Sequence, residues 1–455
     1  MAASTWIAAL LAVASLQATA ATPPDDACVG TYRLQDGRDV DLARSGDDGY
    51  RWRMKDGTSG KLDPAPDGGW TSTLGWTGRP DGHRVEPDAC ADGRLRFDGV
   101  AGERIAFDTR ETRFAVQGAT LAGRLVLPPG DAPVPVVVLV HGSERSSARD
   151  DYALQRLFPS AGIGAFVYDK RGTGASGGHY THDYLVLATD AIAATREARR
   201  LAGARAASIG YQAGSQGGWV APLAARIEPV DFVVVSFGLA VSPLEEDRAA
   251  VVLDMERHGF GPDALAGAME VVDATAEILR SGFRDGHDAL ARVRDRHGDA
   301  PWFRHVRGNA TFFLLEKTEA ELREVGPGLF PGIPVDYDPM PVLRNLRVPQ
   351  LWLLGGQDID APHAETERRL RALAAAGLPI DVIVYPDAEH GMYEFELAPD
   401  GTRLSTRQPP EYFAAMRDFI LAASTRHGAS QAGDGNAGHR PAQELDPVVH
   451  RTSRR

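Results

Sequence analysis

The chain has 455 residues, of which 43% are hydrophobic and 24% charged, a balance that excludes a collagen-like, wholly disordered or membrane-embedded protein. At roughly 100 to 200 residues per domain the length accommodates two or three domains, each able to bury a core. The formal charge of −13 argues against nucleic acid as a partner, because backbone-phosphate binding draws on clustered Lys and Arg; a neutral small molecule or a basic partner fits better.

The first apolar run, Trp6 to Leu16, is too short to cross a bilayer but suits the apolar core of a secretory signal. Ala18-Thr19-Ala20 offers a small-x-small cleavage site, so residues 1–20 are read as a signal peptide and the protein as exported, periplasmic or secreted. The departure from that pattern is the lack of Lys or Arg before Trp6. No later segment reads as a membrane span. The two cysteines, Cys28 and Cys90, favour one disulfide in an oxidising compartment. No Cys-x-x-Cys pair or Cys/His cluster with zinc spacing occurs.

Residues 22–117 carry seven Asp-Gly dipeptides, beginning at Asp36, Asp48, Asp56, Asp67, Asp81, Asp92 and Asp98, between short segments rich in Tyr, Trp, Val and Phe. Asp-Gly is a tight-turn signal, so this region is predicted to be a small antiparallel β domain. Its Tyr50, Trp52, Trp70 and Trp76 are read as core in preference to a sugar-binding platform.

From Gly118 to residue 424 short apolar runs alternate with helical stretches, the pattern of an α/β domain with a mostly parallel sheet. The runs are Leu121–Leu127, Val134–Val140, Ile163–Tyr168, Ala206–Gly210, Phe232–Ser236, Leu351–Leu354 and Ile380–Tyr385. Between two of them, Asp183 to Leu201 reads as a crossover helix with Leu185, Ala188 and Ile192 on its buried face. Residues 242–337 interrupt the alternation with helices, the first opened by Ser242-Pro243-Leu244-Glu245 as a capping box. They are predicted to form an inserted helical cap. Residues 425–455 mix Gly, Ala, Ser, His and Arg without apolar period and are predicted to be a disordered tail.

Ile209-Gly210-Tyr211-Gln212-Ala213-Gly214-Ser215-Gln216-Gly217-Gly218 joins a strand to a helix, with small residues two places before and after Ser215. A sharp strand-to-helix turn strains a non-glycine residue and needs small neighbours if the hydroxyl is to be presented, and the helix N-terminus beneath favours negative charge. A nucleophilic serine requires a base, and the base an orienting carboxylate. Asp358 follows the strand Leu351–Leu354, His390 follows Ile380–Tyr385, and both lie in loops at strand C-terminal ends, where open α/β sheets bind ligands. Asp360 is the reserve candidate for the acid. Gly142, after the Val-rich strand, permits a turn that aims backbone N–H groups at the serine; those of Ser143 and Gln216 are predicted to form an oxyanion hole. His141 is read as structural.

His141-Gly142-Ser143, Tyr168-Asp169-Lys170-Arg171-Gly172-Thr173-Gly174-Ala175-Ser176, the Ser215 elbow, Gly355-x-x-Asp358 and His390-Gly391 together resemble the α/β-hydrolase family, among its bacterial serine esterases and related acyl hydrolases. The order Ser215, Asp358, His390 is that of the family. Ala213 stands where many members have Gly. The resemblance implies an eight-stranded, mostly parallel sheet, an acyl-enzyme mechanism and a cap over the site, and it does not extend to the N-terminal β domain. Gly172-Thr173-Gly174-Ala175-Ser176-Gly177 formally matches a dinucleotide fingerprint, but Asp169-Lys170-Arg171 separates it from its strand and a polar stretch follows, so no such cofactor is assigned. His179 and His182 lack a third ligand, and no metal is assigned.

These readings converge on a serine hydrolase that cleaves carboxylic esters through an acyl-enzyme. A peptidase or aminopeptidase with the same residues is the alternative, in which Glu245, Glu246 and Asp247 would anchor an amine. A non-catalytic binding protein is the third.

Overall fold

Eight short strands follow one another at the N-terminus: β1 (Gly30–Leu34), β2 (Asp39–Arg44), β3 (Tyr50–Met54), β4 (Ser59–Pro64), β5 (Trp70–Leu74), β6 (Pro80–Ala89), β7 (Arg94–Phe97) and β8 (Val100–Arg104). Each pairs antiparallel with the next, and β1 pairs with β8, which closes the sheet into a barrel. The computed structural model describes residues 26–45 and 49–434; the expected signal peptide and residues 435–455 of the expected tail lie outside them. Of the six Asp-Gly pairs wholly within the described residues, five connect strands, with glycines at positive φ such as Gly37 (+89°) and Gly57 (+86°), and the pair at Asp81 lies within β6. The alternate residues Tyr32, Leu42, Trp52, Leu62, Val85 and Phe97 fill the barrel, the expected pattern for a small closed barrel whose lumen is its core. Tyr50 and Trp52 belong to this core as predicted, with Trp70 packed against it. Trp76 does not: it is 42% exposed and meets the next domain edge-on through Tyr393. A Cys28–Cys90 disulfide spans 62 residues and ties the start of the barrel to the β6–β7 connection.

The second sheet begins ten residues earlier than the sequence pattern predicts. β9 (Asp108–Val116) does not join the barrel but pairs antiparallel along the whole length of β10 (Ala119–Leu127). Its residues alternate between half-buried and exposed as an edge strand's do, and its first six are polar, so no apolar run sets it apart from the barrel strands before it. The sheet continues through β11 (Val134–Val140), β12 (Gly164–Tyr168), β13 (Ala206–Gly214), β14 (Val233–Ser236), β15 (Gln350–Gly355) and β16 (Ile380–Tyr385). Its spatial order is β9-β10-β12-β11-β13-β14-β15-β16, antiparallel only at the β9–β10 and β10–β12 pairs. Strands such as β11 are buried on both faces, which is why they read as unbroken valine and leucine.

Helices cover both faces of this sheet. Tyr184–Ala202, capped by the Asp183 side chain, and Gly217–Ile227 pack on one side; Leu154–Ser160 and the start of Tyr412–Asp434 pack on the other. The buried stripe of the crossover helix runs Tyr184, Leu187, Ala191, Ala194, Ala198, with Ala188 and Ile192 beside it. Leu185 is 59% exposed, because it lies about 100° around the axis from Tyr184. The last helix runs to Asp434, so helical backbone continues ten residues into the segment predicted to be a tail. Between β14 and β15, the helices Pro243–Arg257, Pro262–Arg280, His287–His297, Thr311–Leu315 and Glu319–Leu329 form an insertion with its own apolar core around Met255, Val271, Val272 and Leu314. The Ser242–Glu245 capping box is present at its start.

A small hairpin, β17 (Phe395–Leu397) and β18 (Arg403–Ser405), follows β16 and meets the barrel. Trp76 N–H donates to the Ser405 carbonyl (2.8 Å) and Gln408 N–H to that of Gly57 (3.0 Å). A side chain on Gly57 would meet Gln408 O at 2.1 Å, so glycine there serves the docking as well as the turn. On the other flank Arg156 donates two hydrogen bonds to the buried Asp41 of β2, at 2.6 and 2.9 Å. Among the described residues no helix is long and apolar enough to cross a membrane.

Candidate active site

The turn from β13 into the helix Gly217–Ile227 places Ser215 in the left-handed region, at φ +50°. A non-glycine residue holds that conformation only where its surroundings enforce it. Here Ser215 N–H donates to Ser236 O (3.1 Å), and its carbonyl accepts from Gly218 N–H (2.8 Å). A Cβ on Gly217 would lie 2.8 Å from the carbonyl oxygens of Val140 and His141 and 3.1 Å from Ala213 Cβ. Small residues two places either side of the serine are thus a steric requirement of this turn.

The structure brings Ser215, His390 and Asp358 together. His390 Nε2 lies 3.1 Å from Ser215 Oγ, and Nδ1 donates to Asp358 Oδ2 at 2.9 Å. Asp358, 3% exposed, also accepts the backbone N–H groups of Asp360 (3.0 Å) and Ala361 (2.7 Å) on Oδ1. Both carboxylate oxygens are thus engaged, and the group is held facing the imidazole. Asp360, the reserve acid, is exposed and contributes that N–H instead of its side chain. Burial lowers the His390 pKa, but the hydrogen bond and charge of Asp358, with the charges of Asp360 and Glu246, overcome it and raise it to about 8. Phe237 sets its ring edge-on to the imidazole, centroids 4.9 Å apart.

The loop after β11 approaches the serine closely: a Cβ on Gly142 would stand 3.3 Å from Ser215 Cβ. Lys170 Nζ donates to Gly142 O (2.7 Å) and Tyr180 Oη to Ser143 O (2.5 Å), fixing the peptides on either side. The backbone N–H groups of Ser143 and Gln216 have no hydrogen-bond partner among the described residues. His141 is buried, donates Nε2–H to the Tyr168 carbonyl, and packs against Tyr152 and Tyr168, away from Ser215. His182, whose pKa burial lowers to about 4, accepts from the Gln216 side chain at 2.6 Å.

Ser215 and His390 open on a pocket of about 520 Å³, within the usual range for small-molecule sites. Tyr152, Leu154 and Leu157 line one wall, and Arg53, from β3 of the barrel, lines another. The three acids at the start of the insertion separate by environment. Glu245 pairs with Arg369 (2.6 Å) and Asp247 accepts from Ala310 and Thr311, so both are structural. Burial raises the Glu246 carboxyl to about 8, near enough to His390 and Asp358 to feel their charges.

No protein-family model matches the chain. Over 187 residues, 40% of this chain and 43% of the relative, it is 28% identical to the esterase FrsA of Enterobacter sp. strain 638. The matches take in less than half the length of the curated relatives. Two similar solved structures are the Pyrococcus furiosus esterase Pf2001 and the Mycobacterium smegmatis proline iminopeptidase. The first is 14% identical, covering 70% of this chain and 92% of its own, with a TM-score of 0.45. The second is 16% identical, covering 70% and 100%, with a TM-score of 0.43. The chain resembles serine esterases of the α/β-hydrolase type. In this chain the glycine-rich loop 172–177 wraps the Asp169 carboxylate, which accepts Ala175 N–H at 2.9 Å and would be 2.4 Å from a Cβ on Gly174. The next helix starts only at Tyr184. Of groups able to hold a metal, Asp254, His258 and His305 in the insertion bring ligand atoms within 4.8 Å, but the Arg304 guanidinium already contacts His305 Nε2 at 3.2 Å.

Proposed function

We propose that this protein cleaves carboxylic esters by two acyl transfers. Ser215 Oγ attacks the ester carbonyl as His390 Nε2 takes its proton; the imidazolium then protonates the departing alcohol, and a water repeats the sequence on the acyl-enzyme. Asp358 holds the tautomer with Nδ1 protonated and stabilises the imidazolium. The N–H groups of Ser143 and Gln216 receive the oxyanion, an interaction worth about 10²- to 10³-fold in rate per donor. The single observation that carries this reading is the unbroken hydrogen-bonded chain from Ser215 through His390 to Asp358 at the mouth of a pocket. The likeness to FrsA, named an esterase, supports the ester as substrate.

Peptide cleavage with an amine anchor is the weaker reading, because two of the three insertion acids are engaged elsewhere and burial keeps Glu246 largely protonated at neutral pH. The Cys28–Cys90 disulfide supports export to an oxidising compartment. Hydrolysis of p-nitrophenyl esters from acetate to decanoate, beside amino-acid p-nitroanilides, tests the assignment. Ester turnover that vanishes in Ser215→Ala is expected; turnover that survives, or anilide turnover alone, would overturn it.

A further inference from the structure

The barrel contributes one charged side chain to the pocket, and that side chain is unsatisfied. Along β3 the residues alternate: Tyr50, Trp52 and Met54 point into the barrel core, while Arg51 and Arg53 point outward. Arg51 is fully employed, donating to Gly75 O at 2.6 Å with its guanidinium 3.7 Å over the Trp76 ring. Arg53 is not. Its Nη1 is buried without a hydrogen-bond partner, and its side chain makes no ion pair among the described residues. The carboxylate directly across the strand pair belongs to Asp41, which is already taken by Arg156 and Thr31. Of the acids that share the pocket wall, Glu144 accepts the Tyr152 hydroxyl, and neither it nor Asp151 pairs with Arg53.

Arg53 is half-buried, and a buried guanidinium nitrogen without a partner departs from the rule that buried polar groups are hydrogen-bonded; such departures concentrate at functional sites. Arg53 is also the one Lys or Arg among the described residues lining the pocket that holds Ser215 and His390. A planar guanidinium pairs best with a planar carboxylate, in a two-bonded fork. The nearby acids Glu144 and Asp151 would repel a doubly charged phosphate more strongly than a singly charged carboxylate. We propose that Arg53 binds a carboxylate at the far end of the substrate, so that the β-barrel is a specificity wall selecting monoesters of dicarboxylic acids. This rests on the ester-hydrolase reading above and adds the substrate class.

The test compares kcat/KM for the p-nitrophenyl monoesters of adipic and suberic acid with p-nitrophenyl hexanoate and octanoate. The wild type is expected to favour the charged ester at least tenfold, chiefly through KM. Arg53→Gln should abolish that preference and Arg53→Lys retain part of it, with 1 M NaCl weakening it in the wild type, since about 1.5–3 kcal/mol of charged hydrogen bonding is ten- to hundredfold in binding. Equal turnover of charged and uncharged esters by the wild type, or an undiminished preference in Arg53→Gln, would overturn the proposal. Calorimetry of monoethyl adipate and diethyl adipate on Ser215→Ala makes the same comparison without turnover. Equal binding of the two would likewise refute the role of Arg53, whereas ester turnover surviving in Ser215→Ala would refute only the catalytic reading.

Discussion

The pH dependence of ester hydrolysis follows from the environment of His390. In the proposed mechanism His390 is the general base, which works only when neutral. Its pKa is about 8, because the Asp358 hydrogen bond and the carboxylates of Asp358, Asp360 and Glu246 outweigh burial. The neutral fraction is then about 1% at pH 6 and about 90% at pH 9, so kcat/KM rises on the order of 90-fold across that range. A histidine at the ordinary value near 6.5 would give only about a fourfold rise. The assay is kcat/KM for p-nitrophenyl butyrate from pH 5.5 to 9.5, read at the isosbestic wavelength of p-nitrophenol, with Ser215→Ala as the blank. Because kcat/KM reports the free enzyme, substrate binding does not displace the limb. A rise of only fourfold would refute the electrostatic account of the site.

Three further outcomes are expected. Asp358→Asn should lower kcat on the order of 10⁴-fold, as loss of the orienting acid does in serine hydrolases, whereas Asp360→Asn, an exposed side chain outside the hydrogen-bond chain, should stay within about threefold; equal losses in the two would contradict the geometry. Replacing Cys28 and Cys90 together by Ser should destabilise the barrel by about 4 kcal/mol, from the 62-residue loop the bond closes, measured by urea unfolding followed through tryptophan fluorescence. Asp41→Ala strands the buried Arg156 guanidinium and should cost about 3–5 kcal/mol, while the pair Asp41→Leu with Arg156→Met should restore much of that loss.

The parts of the fold that were legible in the sequence are those whose local pattern and tertiary role coincide. β11, β13 and β15 are buried on both faces and so read as continuous apolar runs. The serine turn shows itself because a Cβ at Gly217 has nowhere to go. β9 was misplaced because a half-exposed edge strand alternates in the same way as a barrel strand; only its pairing with β10 separates them. Trp76 looks like core by type, but its place was decided by a docking surface that exists only when two domains meet. Arg53 carried no signal at all. An arginine two residues after another on a strand reads as a solvated face, and its lack of a counter-charge depends on Asp41 being taken by a residue more than a hundred positions away.

Only residues 105–107 separate the last barrel strand from β9, and Ile105 N–H is itself bonded to Thr31 O at 2.8 Å. So short and anchored a connection has no hinge. With Arg156, Trp76 and Gln408 clamping the other contacts, the barrel cannot swing aside as a lid, and the distance from its wall to Ser215 is set by the scaffold itself. A rigid gap of that kind acts as a ruler: the enzyme should discriminate sharply by substrate length.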